Sequence, residues 1–83
     1  MPTVVQESGF SFIVHTRELP FEPPHVHVVI GGEEVRIELV GGTFMEEPPP
    51  GKRRAILDMF RRHASAIWTA WELLHSEGPE AEG

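Results

Sequence analysis

The feature that most constrains this chain is the run Pro-Pro-His-Val-His-Val-Val-Ile-Gly-Gly at residues 23–32. A two-residue Gly-Gly loop favours a β-hairpin, because glycine readily adopts the positive φ angles that type I′ and II′ turns require. Pro24 lacks the N–H that a sheet ladder needs, so the strand before the turn begins at His25. The run therefore predicts two antiparallel strands joined at Gly31-Gly32.

The turn also fixes the pairing of the two strands. With the glycines as the central residues, Ile30 lies opposite Glu33, and the remaining pairs follow from that one. Side chains alternate between the faces of a sheet, so the hairpin has one apolar and one polar face. The apolar face carries Val26, Val28, Ile30, Val35, Ile37 and Leu39, and the polar face carries His25, His27, Glu34, Arg36 and Glu38.

The polar face of the hairpin is the candidate site. His25 lies opposite Glu38, whose carboxylate would favour the protonated imidazole, whereas His27 lies opposite Arg36, which would favour the neutral ring. Two imidazoles biased in opposite directions resemble an acid–base pair. In a catalytic role they would act as general base and acid, with Arg36 stabilising anionic charge. The alternative is an ordinary solvated sheet face with polar cross-strand pairs.

Alternation also predicts a strand before the hairpin. In residues 9–16 the two phenylalanines and Val14 would face the core, which places His15 on the side of His25 and His27 if this strand lies beside the hairpin. Val4 and Val5 indicate a short additional edge strand. Three or four antiparallel strands are therefore expected.

The rest of the chain predicts two proline-rich loops and a helix. Residues 17–24 would be a stiff loop anchored to the core by Phe21, and residues 46–51 a polyproline-like linker. Residues 52–75 are predicted to form one long helix with an apolar stripe made of Ile56, Leu57, Phe60, Ala64, Ile67, Trp68, Trp71 and Leu74. The expected fold is α+β: a three- to four-stranded antiparallel β-meander with one long C-terminal helix packed on one face.

The predicted helix carries most of the basic residues. Lys52, Arg53 and Arg54 crowd its first turn, where the helix dipole disfavours cations, and Arg61 lies on its polar face. Arg54 and Arg61 could therefore bind an anion or an acidic partner. The alternative is that the cations slightly destabilise the helix and that the fold tolerates this small cost. His63 lies at a margin of the apolar stripe. A site that combines His63 with the hairpin histidines would have to lie at the end of the sheet or between two subunits.

Composition narrows the range of functions. The chain has 83 residues, no Cys and a formal net charge of −6. Its size predicts one domain over residues 1–76 and a disordered acidic tail over residues 77–83. The lack of cysteine excludes disulfides and thiolate chemistry. No apolar run approaches the roughly 20 residues of a membrane span and no signal peptide is visible, so we expect a cytoplasmic protein. The acidic balance disfavours a nucleic-acid partner.

A divalent-metal site is a further hypothesis. The His-x-His pattern on a strand places the rings of His25 and His27 on one side, and His15 or Glu38 would complete three ligands. An open coordination position would then permit hydrolysis. The residues establish no cofactor and do not decide whether the chain is an enzyme.

The Pro-Pro-His-x-His element, the Gly-Gly turn and the late helix resemble the small prokaryotic family catalogued as domain of unknown function 4160. The resemblance spans residues 1–75, and the matching positions are Pro24, His25, His27, His63 and Trp71. That family has no established activity, and its members often lie beside another small protein in an arrangement that looks like a toxin–antitoxin pair. The resemblance implies a protein-binding module of such a pair, with a protein partner or a homo-oligomer, most simply a dimer. The alternatives are a metal-independent ribonuclease-like enzyme that uses His25 and His27, and the histidine metal site.

Overall fold

The computed structural model describes residues 3–15 and 23–75. Its elements are β1 (Thr3–Glu7), β2 (Phe10–Ile13), β3 (His25–Ile30), β4 (Glu33–Glu38), α1 (Arg53–Arg62) and α2 (Ala64–His75). The strands form one antiparallel sheet in the order β1-β2-β3-β4. The predicted α+β class is confirmed, and the short strand expected around Val4 and Val5 is the edge strand β1.

Some predictions lie outside the described residues. These are the anchoring role of Phe21, the domain boundary at residue 76 and the acidic tail over residues 77–83. Within the described residues, neither helix is long and apolar enough to cross a membrane. The cytoplasmic location stays a prediction.

The hairpin of β3 and β4 has the register that the Gly-Gly turn predicted. Pairing runs from Ile30 opposite Glu33 at the turn to His25 opposite Glu38 at the far end. Both turn glycines have positive φ, 51° and 86°, which is the type I′ conformation that matches the twist of the flanking strands. The turn therefore determines which side chains share the polar face.

The core lies between the apolar face of the sheet and the two helices. Phe12 and Val14 are completely buried beside the hairpin valines, as the alternation in residues 9–16 predicted. The helices contribute four buried side chains, which are Ile56, Met59, Phe60 and Ile67. Leu57, expected in the apolar stripe, is instead only half-buried, and the neighbouring Met59 takes the buried position.

The predicted single helix over residues 52–75 is wrong, because the helix divides at His63. This residue has φ −114° and ψ 15°, and its N–H is shared between the carbonyls of Met59 (3.1 Å) and Phe60 (3.2 Å). Neither Gly nor Pro marks the division, so the residues carry none of the usual signals for a helix end. The helical periodicity continues across the break, which explains why the sequence predicted one helix.

Two tertiary contacts are made at the division at His63. Its Nε2–H donates to Oε1 of Glu7 (3.3 Å), and Arg62 Nη1 donates to Oε2 of the same carboxylate (3.3 Å). Glu7 is the last residue of β1, so the junction of α1 and α2 is attached to the end of that strand. The hydrogen bond from Arg62, with a smaller contribution from His63, holds the pKa of Glu7 below its ordinary value of 4.5, although partial desolvation acts in the opposite direction.

Substituting Glu7→Gln is expected to destabilise the fold at neutral pH but not at low pH. A carboxyl group whose pKa is lowered by folding adds stability that is complete above its unfolded pKa of about 4.5 and is lost as the pH falls through the lower folded-state pKa. Urea unfolding at pH 7 and pH 3 measures this difference. Glu33→Gln, at the exposed first residue of β4, is the control. A Glu7→Gln deficit that persists unchanged at pH 3 would contradict the ion-pair explanation.

The two edges of the sheet differ. The outer side of β4 is covered by residues 42–46: Met45 N–H donates to the Arg36 carbonyl (2.8 Å), and Glu38 N–H donates to the Thr43 carbonyl (2.8 Å). Phe44 also forms an isolated antiparallel bridge with β4. The opposite edge is β1, and within the described part of the chain no segment makes backbone hydrogen bonds along its outer side.

Candidate functional site

The polar face of the hairpin meets the segment after β2 at one end of the sheet. Ile13 pairs with His27, so His15, two residues further along, lies on the same side of the sheet. The ring centroids of His15 and His27 are 3.9 Å apart, with the ring planes at 63°. The structure thus places His15 beside the hairpin histidines, as the alternation predicted.

His27 contacts a carboxylate that lies diagonally across the hairpin. Its Nδ1–H donates to Oε2 of Glu34 at 2.5 Å, which is shorter than an ordinary N–H···O hydrogen bond. The two residues are not directly opposite, since His27 pairs with Arg36 in the register. The side chain of His27 is only 14% exposed, whereas that of Glu34 is 51% exposed. The imidazole is therefore held inside the site, and the carboxylate approaches it from solvent.

His15, His27 and Glu34 together form a group that we call the His-Glu cluster. Each offers one nitrogen or oxygen atom suited to a metal ion, and these atoms all lie within 4.8 Å of one another. The cluster contains His27 and His15, both expected as possible ligands from the sequence, but it includes Glu34 and neither His25 nor Glu38. Its members come from three separate segments of the chain.

His25, the first histidine of the Pro-Pro-His-x-His element, lies in the protein interior and has a structural role. Its side chain is completely buried, and its Nδ1–H donates to the carbonyl of Pro23 (2.8 Å). Its ring lies 5.1 Å from that of His27 and 5.7 Å from the indole of Trp71 on α2. His25 therefore connects the start of β3 to the second helix, and its ring is shielded from any substrate in solution.

Arg36 lies in the same cleft and is held by Glu46. Its Nε–H donates to Oε2 of Glu46 (2.6 Å), its backbone N–H donates to Oε1 (2.9 Å), and its Nη2 also contacts Oε2. The hydrogen bond from Arg36 lowers the pKa of Glu46 from its ordinary value, against partial desolvation. A cleft of about 320 Å³ is lined by these two residues together with His27 and Glu34.

The sequence missed the roles of Glu34 and Glu46. The register predicts that Glu34 lies on the polar face. Because diagonal neighbours on paired strands are within reach of long side chains, its contact with His27 could have been predicted from the register. Glu46 lies in a segment predicted only as a linker, and nothing in its sequence indicates that it pairs with Arg36.

The remaining predicted site residues do not belong to the His-Glu cluster. Glu38 is half-buried opposite His25, as the register requires. His63 contacts Glu7, which is at the turn end of the sheet, because Glu7 pairs with Phe10 and Phe10 pairs with Ile30. Within one chain, His63 is therefore at the opposite end of the sheet from His25.

Arg54 and Arg61 lie on the solvent side of α1, away from the His-Glu cluster. They line a second cavity of about 470 Å³, whose lining residues are Gly51, Arg53, Arg54, Leu57, Asp58 and Arg61. We call this the arginine surface. It combines three guanidinium groups and a single carboxylate with one half-buried leucine.

Comparison with known families gives one result. A family model described as a domain of unknown function (DUF4160) matches residues 9–72, which include the hairpin, all of α1 and most of α2. No curated protein and no solved structure matches the chain.

Proposed function

The chain belongs to the DUF4160 family, and because this membership brings no activity with it, we propose from the surface of the molecule that it is a protein-binding module. The proposed partner is an acidic protein that docks on the arginine surface of α1. In its finer form, the proposal is that the partner is the protein encoded beside this chain, in a toxin–antitoxin-like pair. The observation that carries the proposal is the cavity lined by Arg53, Arg54 and Arg61.

The arginine surface has the composition of a protein interface. Arginine is enriched at protein–protein contacts and at their energetic hot spots, and Leu57 supplies apolar area between the guanidinium groups. The face of α1 that packs on the sheet carries Ile56, Met59 and Phe60. The arginines are therefore not needed for the core, and they present their charge to solvent.

The start of α1 concentrates positive charge. The helix has no acidic residue in its first turn and no side-chain cap, and it begins with Lys52, Arg53 and Arg54. Cations at a helix N-terminus typically cost about 0.3–1 kcal/mol each, because the helix dipole is positive there. A carboxylate-rich partner would relieve this repulsion on binding. Within the chain, Glu47 only partly offsets the positive charge at the start of α1, with one carboxylate oxygen 4.0 Å from Arg53 Nη2.

The charge of the whole chain supports a specific partner. The net charge of −6 makes the arginine surface a local exception on an acidic molecule. Such a patch steers an acidic protein to one place and orientation. A nucleic acid would instead be repelled by most of the molecule.

No specific observation favours the ribonuclease hypothesis. That hypothesis needs His25 and His27 to reach one phosphate group, whereas the side chain of His25 is completely buried. Arg36, the expected phosphate-stabilising group, is engaged by Glu46 through three contacts. Binding through α1 requires neither residue to change its contacts.

Substituting Arg61→Glu is expected to weaken binding of the neighbouring protein by about 10-fold or more, because it places a carboxylate in the centre of a cationic interface. The two proteins would be co-expressed, and the dissociation constant of the complex measured by calorimetry at low and high salt. Thr69→Glu adds a carboxylate at an exposed position of α2, outside the residues that line the cavity, and is expected to alter the constant by no more than about twofold.

Two results would contradict the proposal. One is that the neighbouring protein forms no complex with this chain. The other is a complex that Arg61→Glu leaves as tight as before, because binding would then use another surface, such as the edge of β1.

A further inference from the structure

We propose that the His-Glu cluster binds a divalent transition-metal ion, with Zn²⁺ as the reference ion. The ligands are His15, His27 and Glu34, whose donor atoms lie within 4.8 Å of one another. Two imidazoles and one carboxylate form a donor set found in zinc enzymes and in non-haem iron sites. This site is separate from the arginine surface and does not depend on the proposed protein partner.

The spacing of the donors suits a small ion. Zinc binds imidazole nitrogen and carboxylate oxygen at about 2.0–2.2 Å, so donors around a tetrahedral zinc are roughly 3.4 Å apart. The His27–Glu34 contact of 2.5 Å must lengthen, and the wider separations in the cluster must shorten. Glu34 is half exposed at the rim of the cleft, so its side chain can rotate to adjust its distance to each imidazole.

The scaffold holds the imidazole ligand in place. His27 and Glu34 lie inside paired strands of the hairpin, and ligands on strands are positioned better than ligands on loops. The completely buried His25 packs 5.1 Å from the His27 ring and is itself fixed by its hydrogen bond to Pro23. The ring of His27 on β3 and that of His15, just after β2, thus lie side by side before any ion arrives.

Local charge favours a cation. Among the described residues that line the cleft, Arg36 is the only arginine or lysine, and its guanidinium is compensated by Glu46. Glu34 and Glu46 together outnumber it, so the carboxylates and the guanidinium of the cleft carry an excess of one negative charge. This excess attracts a cation into the cleft.

Three protein ligands leave a coordination position open. The cleft of about 320 Å³ reaches His27 and Glu34 from the solvent side, so a water molecule or a small anionic ligand could occupy that position. A site with three protein ligands and one exchangeable position has the form of a catalytic rather than a structural zinc centre.

Calorimetric titration of Zn²⁺ into the full chain, produced without a histidine tag and stripped with chelator, tests the proposal. We expect one ion per chain. His15→Ala and His27→Ala should each weaken binding by about 100-fold, and Glu34→Gln by about 10–100-fold. Glu33→Gln, the neighbouring exposed carboxylate on the other face of the hairpin, and His63→Ala should leave the affinity unchanged within about twofold.

A second measurement keeps the test independent of any loss of folding. In NMR spectra of the unaltered chain, Zn²⁺ should shift the imidazole resonances of His15 and His27 together, while those of His63 and His75 stay in place. Binding that survives Glu34→Gln and His27→Ala at full strength would overturn the proposal. So would zinc shifts centred on His63 or His75, or a chain that binds no zinc.

Discussion

Substituting His25→Ala is expected to destabilise the fold by about 2–4 kcal/mol, whereas His27→Ala, two residues further along the same strand, should cost less than about 1 kcal/mol. The side chain of His25 is completely buried, donates a hydrogen bond to Pro23 and packs near Trp71. Its removal leaves a cavity and an unsatisfied carbonyl. His27 loses only its contacts at the edge of an open cleft.

This pair of variants separates two roles within one motif. Both make the same chemical change, and urea unfolding followed by tryptophan fluorescence reports the free energy of each. A domain of this size has a total stability of roughly 4–12 kcal/mol, so the expected His25→Ala loss is a large fraction of it. Equal, small losses for both variants would mean that His25 does not hold the strand to α2.

Substituting Phe12→Ala is expected to cost about 3–5 kcal/mol, enough to leave the fold marginal or unfolded. Phe12 is completely buried on β2, between β1 and β3, and its side chain packs in the centre of the core. Thermal unfolding followed by circular dichroism measures the loss.

Phe44→Ala is the matched control for Phe12→Ala. It removes the same side chain from a half-buried position at the covered edge of β4, where the guanidinium of Arg53 lies 5.0 Å from the ring. We expect a loss of about 1 kcal/mol. A Phe12→Ala protein as stable as Phe44→Ala would contradict the assignment of the core.

Local patterns were sufficient to predict the sheet. The Gly-Gly turn determined the register of β3 and β4, because a two-residue loop leaves a single pairing. Alternation in residues 9–16 placed Phe12 in the core and His15 on the polar side. These features depend on residues close in sequence, where backbone geometry leaves few alternatives.

The features that sequence reasoning missed depend on contacts between distant segments. The division at His63 is associated with the carboxylate of Glu7, which lies far away in the chain. The pairing of Arg36 with Glu46 depends on how residues 42–46 return along β4. Helical periodicity and linker composition carry no information about either contact.

The composition of the candidate site was predicted only in part, for a related reason. The alternation predicts which side chains share the polar face, but the register alone favours direct cross-strand neighbours as partners. In the structure His27 contacts the diagonal Glu34, and His25 turns to a backbone carbonyl. Which of two cross-strand neighbours a side chain contacts depends on its rotamer and on competing partners, and Arg36 was already engaged by Glu46.

The difference between the two sheet edges limits how copies of this chain could assemble by strand pairing. A sheet with two open edges can add molecules without end, as fibres do. In the part of the chain that the structure describes, residues 42–46 pair with the outer side of β4 at Arg36 and Glu38, whereas no segment pairs with the outer side of β1. Pairing of β1 with its counterpart in a second copy would use up the open edge of both. Assembly by strand pairing would therefore stop at two chains, because residues 42–46 would block the addition of a further strand at the edge of β4.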